Sequence, residues 1–206
     1  MILLLIGWTR EDRKTGKKYF QRWLRFWMYK PWQRLLQKEC RVIKVNDYYV
    51  FPIFKNGTAS LDPGYRTRKR YINNDINALD NIIVFLRNPE ERFTSGVNTV
   101  AEENNVSTQT IVNQIQKENF ADWHFVPQFV WLCHLSRYYK GDIDFRGMDQ
   151  LKQFTELHSV NYLRKDTVSV IPKFVDIDKL LLSKYLNHKI ALGKVIKELY
   201  HELPKN

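Results

Sequence analysis

The chain is poor in cysteine and has no long hydrophobic run. Its 206 residues include only two cysteines, so no disulfide framework supports the fold, and we expect a reducing compartment. The apolar start, residues 2–6, is interrupted at Gly7 and is far shorter than the roughly 20 residues that a membrane-spanning helix needs. Positive charges follow this run instead of preceding it, unlike a secretory signal. We therefore expect a cytoplasmic protein.

Acidic side chains are also in short supply. The chain has 22 of them against 33 basic ones, which gives a formal net charge of +11. This balance favours anionic partners such as nucleotides, sulfated glycans, nucleic acids or lipid headgroups, and it does not choose among them. A length of 206 residues with 44% hydrophobic residues is sufficient for one domain with a packed core.

The first 40 residues are basic and aromatic, and we treat them as a segment that precedes a single domain of residues 41–206. Aromatic residues recur at helical spacing within residues 8–38, and Pro31 breaks the run. The pattern predicts a helix whose aromatic stripe packs on the domain. Peripheral contact of this segment with a membrane or another anionic surface is the alternative.

Short β-rich runs alternate with helical patterns through the rest of the chain. Continuous β-branched runs such as IIVFL, residues 82–86, are typical of strands buried on both faces. The alternation predicts an α/β fold, and we expect a P-loop-like, three-layer α/β/α arrangement with a central parallel sheet. The other predicted strands are RVIKV (41–45) and YYVFPIF (48–54), joined by an Asn-Asp turn, and IDF (143–145). Helices are predicted over 90–100, from Ser107, over about 127–138, over 149–157 and from Pro172 almost to the end. A loop is predicted over 62–77.

The segment YVFPIFKNGTASL, residues 49–61, places a lysine, a glycine and hydroxyl side chains between a hydrophobic strand and a helix. Backbone N–H groups at such a junction and the charge of Lys55 attract anions. Gly57 permits an unusual backbone, and Thr58 suits the start of a helix. Because Lys55 precedes the glycine, the pattern differs from a Walker A loop, which argues against a nucleoside triphosphatase.

A second segment, IIVFLRNPEERFTSG at residues 82–96, ends its strand on Arg87 and places Ser95 on the helix that follows. Pro89 and the acidic residues after it are typical of a helix start. A guanidinium at a strand end and a hydroxyl on the next helix can converge on one phosphate, and the fork of arginine suits that role. Arg92, in the same segment, is predicted to support the structure through a salt bridge.

The two segments together resemble motifs of the sulfotransferases that use 3′-phosphoadenosine 5′-phosphosulfate (PAPS). They are most similar to those of the Golgi carbohydrate sulfotransferases and their shorter microbial relatives. PIFKNGTASL resembles the loop that holds the 5′-phosphosulfate in that family, and FLRNPEERFTSG resembles the motif that holds the 3′-phosphate. DWHFVPQFVWLC, DFRGMDQL and VIKELYHEL are similar to further stretches of the carbohydrate branch, so the resemblance spans residues 48–203.

The resemblance implies transfer of the sulfuryl group of PAPS to a hydroxyl acceptor, with a glycan expected, without a metal ion and without a nucleic acid partner. It implies that Lys55 stabilises charge on the departing phosphate and that His124 is the general base. Glu90 and Glu91 are alternative bases, and a core position is the alternative for His124. The nucleotide-binding residues that it implies are Lys55, Asn56, Gly57, Thr58, Ala59, Ser60, Arg87, Ser95, Arg164 and Lys165.

The chain also departs from this family. The first 40 residues have no counterpart there, the second cysteine often found near Cys133 is missing, and Asn88 replaces a common aspartate. Two other functions stay open: a P-loop-like nucleotide kinase, which would need Mg²⁺, and a non-catalytic basic module that binds nucleotides or glycans. The basic cluster at residues 66–70 is either a grip for an anionic acceptor or an ordinary surface loop.

Overall fold

The computed structural model describes residues 39–61, 70–117, 122–154, 168, 171–172 and 175–202. The predictions for residues 1–38, for residues 66–69, and for Arg164 and Lys165 lie outside these ranges. Within them, no helix is long and apolar enough to cross a membrane. The strands are β1 (Arg41–Val45), β2 (Tyr48–Val50), β3 (Arg70–Ile72), β4 (Ile82–Leu86), β5 (Asp142–Gly147) and β6 (Lys189–Ala191).

Helices accompany one six-stranded sheet, so the α/β class that the sequence predicts is observed. Asn88 and Ser107 cap two of the helices with their side chains, Asn88 by accepting hydrogen bonds from the backbone N–H groups of Glu90 and Glu91 at 3.0 and 3.1 Å. The helices are α1 (Thr58–Leu61), α2 (Pro89–Asn104), α3 (Thr108–Gln116), α4 (Gln128–Leu135), α5 (Asp176–Tyr185) and α6 (Leu192–Glu202), with 3₁₀ turns at Asn73–Ala78 and Gln150–Gln153.

The sheet is mixed, and it is parallel only at its centre. Its strand order is β3-β1-β2-β4-β5-β6. Strand β4 pairs in parallel with β2 and β5, whereas β1 is antiparallel to β2 and β3, and β6 is antiparallel to β5. The tight turn at Asn46, with a φ of 54°, forces β1 and β2 to run in opposite directions. The predicted parallel sheet is therefore wrong for the outer strands.

Three local predictions are also corrected. The strand predicted over residues 48–54 ends at Val50, and Phe51 makes one more backbone bond to Ile83 before the chain turns away. The predicted loop over 62–77 contains the edge strand β3, whose three residues lack the alternation of apolar and polar side chains that marks a half-buried strand. The continuous helix predicted after Pro172 is interrupted by β6, because the backbone of Asn187 adopts a φ of 64°.

Both faces of β4 are buried, as its sequence predicts. Ile82, Val84 and Leu86 pack with α4, α5 and α6 on one face. Ile83 and Phe85 pack on the other face with Leu61 of α1 and with the 3₁₀ turn at Gln150–Gln153. Helices α2 and α3 form a further cluster with Phe125. Because β2, β4 and β5 are parallel neighbours, their carboxyl ends lie at one edge of the sheet, where the loops of both motifs begin.

Candidate functional site

The loop between β2 and α1, which we call the Lys55 loop (residues 53–58), is tightly turned. The carbonyl of Ile53 accepts hydrogen bonds from the backbone N–H of Asn56 at 3.0 Å and from the hydroxyl of Thr58 at 2.8 Å. Lys55 and Gly57 both have left-handed backbones, with φ of 66° and 76°. A Cβ at Gly57 would lie 2.3 Å from Cδ2 of Leu151, so both space and conformation favour glycine.

Three backbone amides of this loop are unpaired within the described part of the chain. Within the described part of the chain, the N–H groups of Lys55, Gly57 and Thr58 find no protein acceptor. Unpaired amides in a tight turn beside a cationic side chain are a common feature of anion sites. Ala59 and Ser60, also predicted to contact the nucleotide, follow directly in α1. The loop therefore brings together the residues that the sequence predicts to bind the 5′-phosphosulfate.

Two arginines of the second motif bind the carbonyls of the Lys55 loop. Nη1 of Arg87 donates to the carbonyl of Lys55 at 3.1 Å, and Nε of Arg92 donates to the carbonyl of Phe54 at 3.0 Å. The two motifs thus lie side by side, although the bonded residues are 32 and 38 positions apart in the chain. Parallel pairing of β2 with β4 produces this proximity, since Lys55 and Arg87 both follow the ends of neighbouring strands.

Lys55 also reaches helix α2. Its Nζ donates to the hydroxyl of Thr99, which donates in turn to the carbonyl of Ser95 at 3.0 Å. Burial lowers the pKa of Lys55, and the charge of Glu103 acts in the opposite direction. Ser95 is half-buried and lies one helical turn before Thr99. The structure therefore links Lys55 to the helix of Ser95 through Thr99, a residue that sequence analysis missed.

Arg92 supports the structure, as predicted, but through a different contact from the predicted salt bridge. It is only 2% exposed, and its bond is to a backbone carbonyl rather than to a carboxylate. Burial lowers its pKa to about 10, while the charge of Asp178 acts to raise it. Arg92 thus stays charged at neutral pH beneath the Lys55 loop, where its Nη2 has no hydrogen-bond partner among the residues that the structure describes.

His124 lies beside this loop and is paired with Asp122. Its ring is in edge contact with Phe54, with 5.7 Å between centroids, and its Nδ1 bonds the Asp122 carboxylate. The same carboxylate accepts the backbone N–H of His124 at 2.9 Å. Burial raises the pKa of Asp122, but the hydrogen bonds from His124 and the charges of His124 and Lys55 outweigh it, so the pKa is below its ordinary value.

The surroundings of His124 argue against a core role. Its side chain is 19% exposed, and because Asp122 occupies Nδ1, Nε2 is the nitrogen left for an incoming proton. Gly96 of α2 brings the helix close to this segment, since a Cβ there would lie 2.4 Å from the carbonyl oxygen of His124. Of the alternative bases, Glu90 is bonded to Lys179 at 2.7 Å, and Glu91 lies 4.0 Å from Nε of Arg87.

Gln128 is the other residue that sequence analysis missed. Its side chain is fully buried and bonds both Asn56 and the backbone of Arg87. Its position directly after Pro127, at the start of a predicted helix, gave no sign of these contacts.

Among the described residues, no three His, Cys, Asp or Glu side chains are grouped to hold a metal ion. The chain has no significant match among protein-family models, curated proteins or solved structures.

Proposed function

We propose that the chain binds PAPS across the Lys55 loop and Arg87 and transfers its sulfuryl group to a hydroxyl acceptor, with a carbohydrate expected. The observation that carries this proposal is the bond from Nη1 of Arg87 to the carbonyl of Lys55. It joins the two segments whose cations the nucleotide requires, one for the 5′-phosphosulfate and one for the 3′-phosphate. Both cations lie beside unpaired loop amides, which suits a ligand with phosphates at two positions.

The proposed transfer is an in-line displacement at sulfur. A bond forms between the acceptor oxygen and sulfur while the bond from sulfur to the 5′-phosphate oxygen breaks, releasing adenosine 3′,5′-bisphosphate. Lys55 stabilises the negative charge that develops on the departing phosphate, aided by the loop amides. His124 accepts the proton of the acceptor hydroxyl at Nε2, and Asp122 stabilises the imidazolium that results. Positioning and electrostatics supply the catalysis, so these steps require no metal ion.

We place this activity in the cytoplasm, with a glycan or another hydroxyl compound as the acceptor and no nucleic acid partner. Cys40 and Cys133 are both free and buried, which fits a reducing compartment. Burial raises the pKa of the Cys133 thiol to about 12, so this cysteine is an inert core residue rather than a nucleophile.

Ligand binding to the purified protein tests the proposal. Adenosine 3′,5′-bisphosphate in the presence of EDTA should raise the melting temperature, because a ligand that binds only the folded state stabilises it. A larger response to ATP with Mg²⁺ would favour a nucleotide kinase instead. Salt-dependent binding to heparin or nucleic acid, with no response to the bisphosphate, would favour a non-catalytic basic module.

Sulfuryl transfer is measured separately with ³⁵S-labelled PAPS. The labelled donor is offered to a panel of glycans, lipids and small alcohols, and label in a product identifies the acceptor class. Bisphosphate binding with no transfer to any acceptor would leave a nucleotide-binding protein and would remove the catalytic part of the proposal.

A further inference from the structure

We propose that Gln128 is a positioning residue that fixes Arg87 and the Lys55 loop relative to each other, so that both ends of the nucleotide are bound at the same time. This inference rests on the proposed function and extends it. Gln128 is fully buried, so it acts through the residues that it bonds and not by touching a ligand.

The side-chain amide of Gln128 completes the backbone hydrogen bonds of Arg87. The backbone N–H of Arg87 donates to Oε1 of Gln128 at 3.0 Å, and Nε2 of Gln128 donates to the carbonyl of Arg87 at 2.9 Å. Arg87 is the first residue beyond β4, where sheet pairing ends. The amide therefore replaces a neighbouring strand at this one residue and sets the direction in which its side chain leaves the backbone.

The same amide oxygen binds the Lys55 loop. Oε1 of Gln128 accepts a second hydrogen bond, from Nδ2 of Asn56 at 2.6 Å, and that Nδ2 also donates to the carbonyl of Phe85 at 2.6 Å. Asn56 directly follows Lys55. One buried oxygen atom thus connects the end of β4 to the loop that carries the proposed catalytic lysine.

Gln128 is itself held firmly by Asp178 of α5. The carboxylate accepts the backbone N–H of Gln128 at 2.6 Å and that of Phe129 at 2.8 Å, which satisfies the first two amides of α4. A glutamine meets all of these demands because its side chain both donates and accepts. A glutamate would keep the acceptor and lose the donor, whereas a methionine of similar shape would lose both.

The experiment compares affinities for adenosine 3′,5′-bisphosphate and adenosine 5′-phosphate, whose ratio is the preference for the 3′-phosphate. In Gln128→Met this preference should fall about tenfold, the equivalent of roughly one hydrogen bond. In an Arg87→Ala background the same change should have no further effect on the preference, because Gln128 acts through Arg87. Gln128→Glu should give an intermediate preference. It replaces Gln128→Met in this comparison if the methionine variant does not fold.

Gln150→Met is the matched control. Oε1 of Gln150 accepts the backbone N–H of Gly147 at 3.0 Å, so it is also a glutamine that bonds the backbone at the end of a strand, here β5. This variant should lose stability and keep the 3′-phosphate preference. An unchanged preference in Gln128→Met, with only a lower melting temperature, would overturn the inference.

The failure of the proposed function and the failure of this inference give different results. A wild-type protein that does not bind the bisphosphate would refute the proposed function itself. Amide hydrogen exchange in the wild-type protein requires no variant: the N–H of Arg87 should exchange slowly without any ligand, because Gln128 holds it. Rapid exchange of that amide would contradict the positioning role.

Discussion

Helix α4 is buried along its length, but its two ends differ. At its first residue, Gln128 and the carboxylate of Asp178 form a network of hydrogen bonds that reaches Asn56 and Arg87. At its other end, His134 is 2% exposed, and its Nδ1 has no hydrogen-bond partner among the described residues. One end joins its buried polar groups in hydrogen bonds that reach the Lys55 loop, although Oδ1 of Asn56 has no partner among the described residues, whereas the other leaves a titratable ring in the core.

This difference separates a region that organises the proposed site from one that sets stability. A buried polar group without a partner costs stability, whereas a satisfied network fixes side-chain positions. Changes at the first end should therefore alter ligand binding and transfer, and changes at the second should alter the free energy of unfolding and its pH dependence.

Lys55→Ala should have the largest effect. Transfer should fall about 10³-fold, because the charge that stabilises the departing phosphate is lost. The melting temperature should change little, and the measurement is the initial rate with labelled PAPS. Lys194→Ala, which removes an exposed lysine of α6, is the control and should leave the rate unchanged. Full activity of Lys55→Ala would remove this lysine from the mechanism.

Asp178, which bonds the first residues of α4, and His134, near its other end, should change the free energy of unfolding with pH in opposite directions. Burial lowers the pKa of His134 from 6.5 to about 4, so the unfolded chain binds a proton first and stability falls as pH drops through this window. Burial raises the pKa of Asp178 from 3.8 to about 6, so the folded protein binds a proton first and stability rises over nearly the same window. Each effect is on the order of 3 kcal/mol at most, and the two largely cancel.

Urea unfolding between pH 4 and 7 checks this prediction. Relative to the wild-type protein, His134→Gln should become more stable as pH falls, and Asp178→Asn should become less stable. Parallel curves for the wild-type protein and both variants would show that neither group has the shifted pKa. His134→Gln should also leave the affinity for the bisphosphate unchanged, which tests the separation of the two ends directly.

His124→Gln should reduce transfer about 10²-fold, because the proposed base is lost. Affinity for the bisphosphate should be retained, since Lys55 and Arg87 are untouched. The measurement is the initial rate with labelled PAPS. His188→Gln is the control, an exposed histidine far along the chain whose loss should leave the rate unchanged. An unchanged rate in His124→Gln would assign the base to another residue.

Arg87→Ala should weaken bisphosphate binding by roughly 1.5 to 3 kcal/mol, as for the loss of a hydrogen bond to a charged group. Affinity for adenosine 5′-phosphosulfate, which lacks the 3′-phosphate, should hardly change. Calorimetry measures both, and Arg41→Ala, at an exposed arginine of β1, is the control. If Arg87→Ala still prefers the nucleotide with the 3′-phosphate, that phosphate binds elsewhere.

Gly57→Ala should have the smallest effect, a loss of about 1 to 2 kcal/mol of stability, because a φ of 76° strains any residue with a Cβ. Leu151 can move its terminal methyl group, so the backbone is the larger cost. Gly193→Ala in α6 is the matched control, since nothing lies within 4 Å of its Cβ. That change should be neutral or stabilising by up to about 1 kcal/mol. Equal melting temperatures for both variants would show that the loop is not strained.

Much of the local structure could be predicted from the sequence. The continuous apolar run of β4 marked a strand buried on both faces, and Ser107 marked a helix start that its side chain does cap. The lysine and glycine after one strand and the arginine after another lie side by side in the structure, and their binding of phosphate stays a prediction. Edge strand β3 was missed because its residues carry no periodic pattern.

The sequence by itself determined the central strands β1, β2, β4 and β5, the helix starts at Pro89 and Ser107, and which cations follow the strand ends, because these depend on neighbours within a few positions. Only the tertiary structure decided that β2 and β4 are adjacent and that the amide of Gln128 joins residues 41 and 72 positions away. Hydrogen bonds across such separations depend on strand order and helix placement, which leave no periodic trace in the chain. Asp122 stands two positions before His124 in the sequence, but neither their pairing nor the contact of His124 with Phe54 beside Lys55 was predicted.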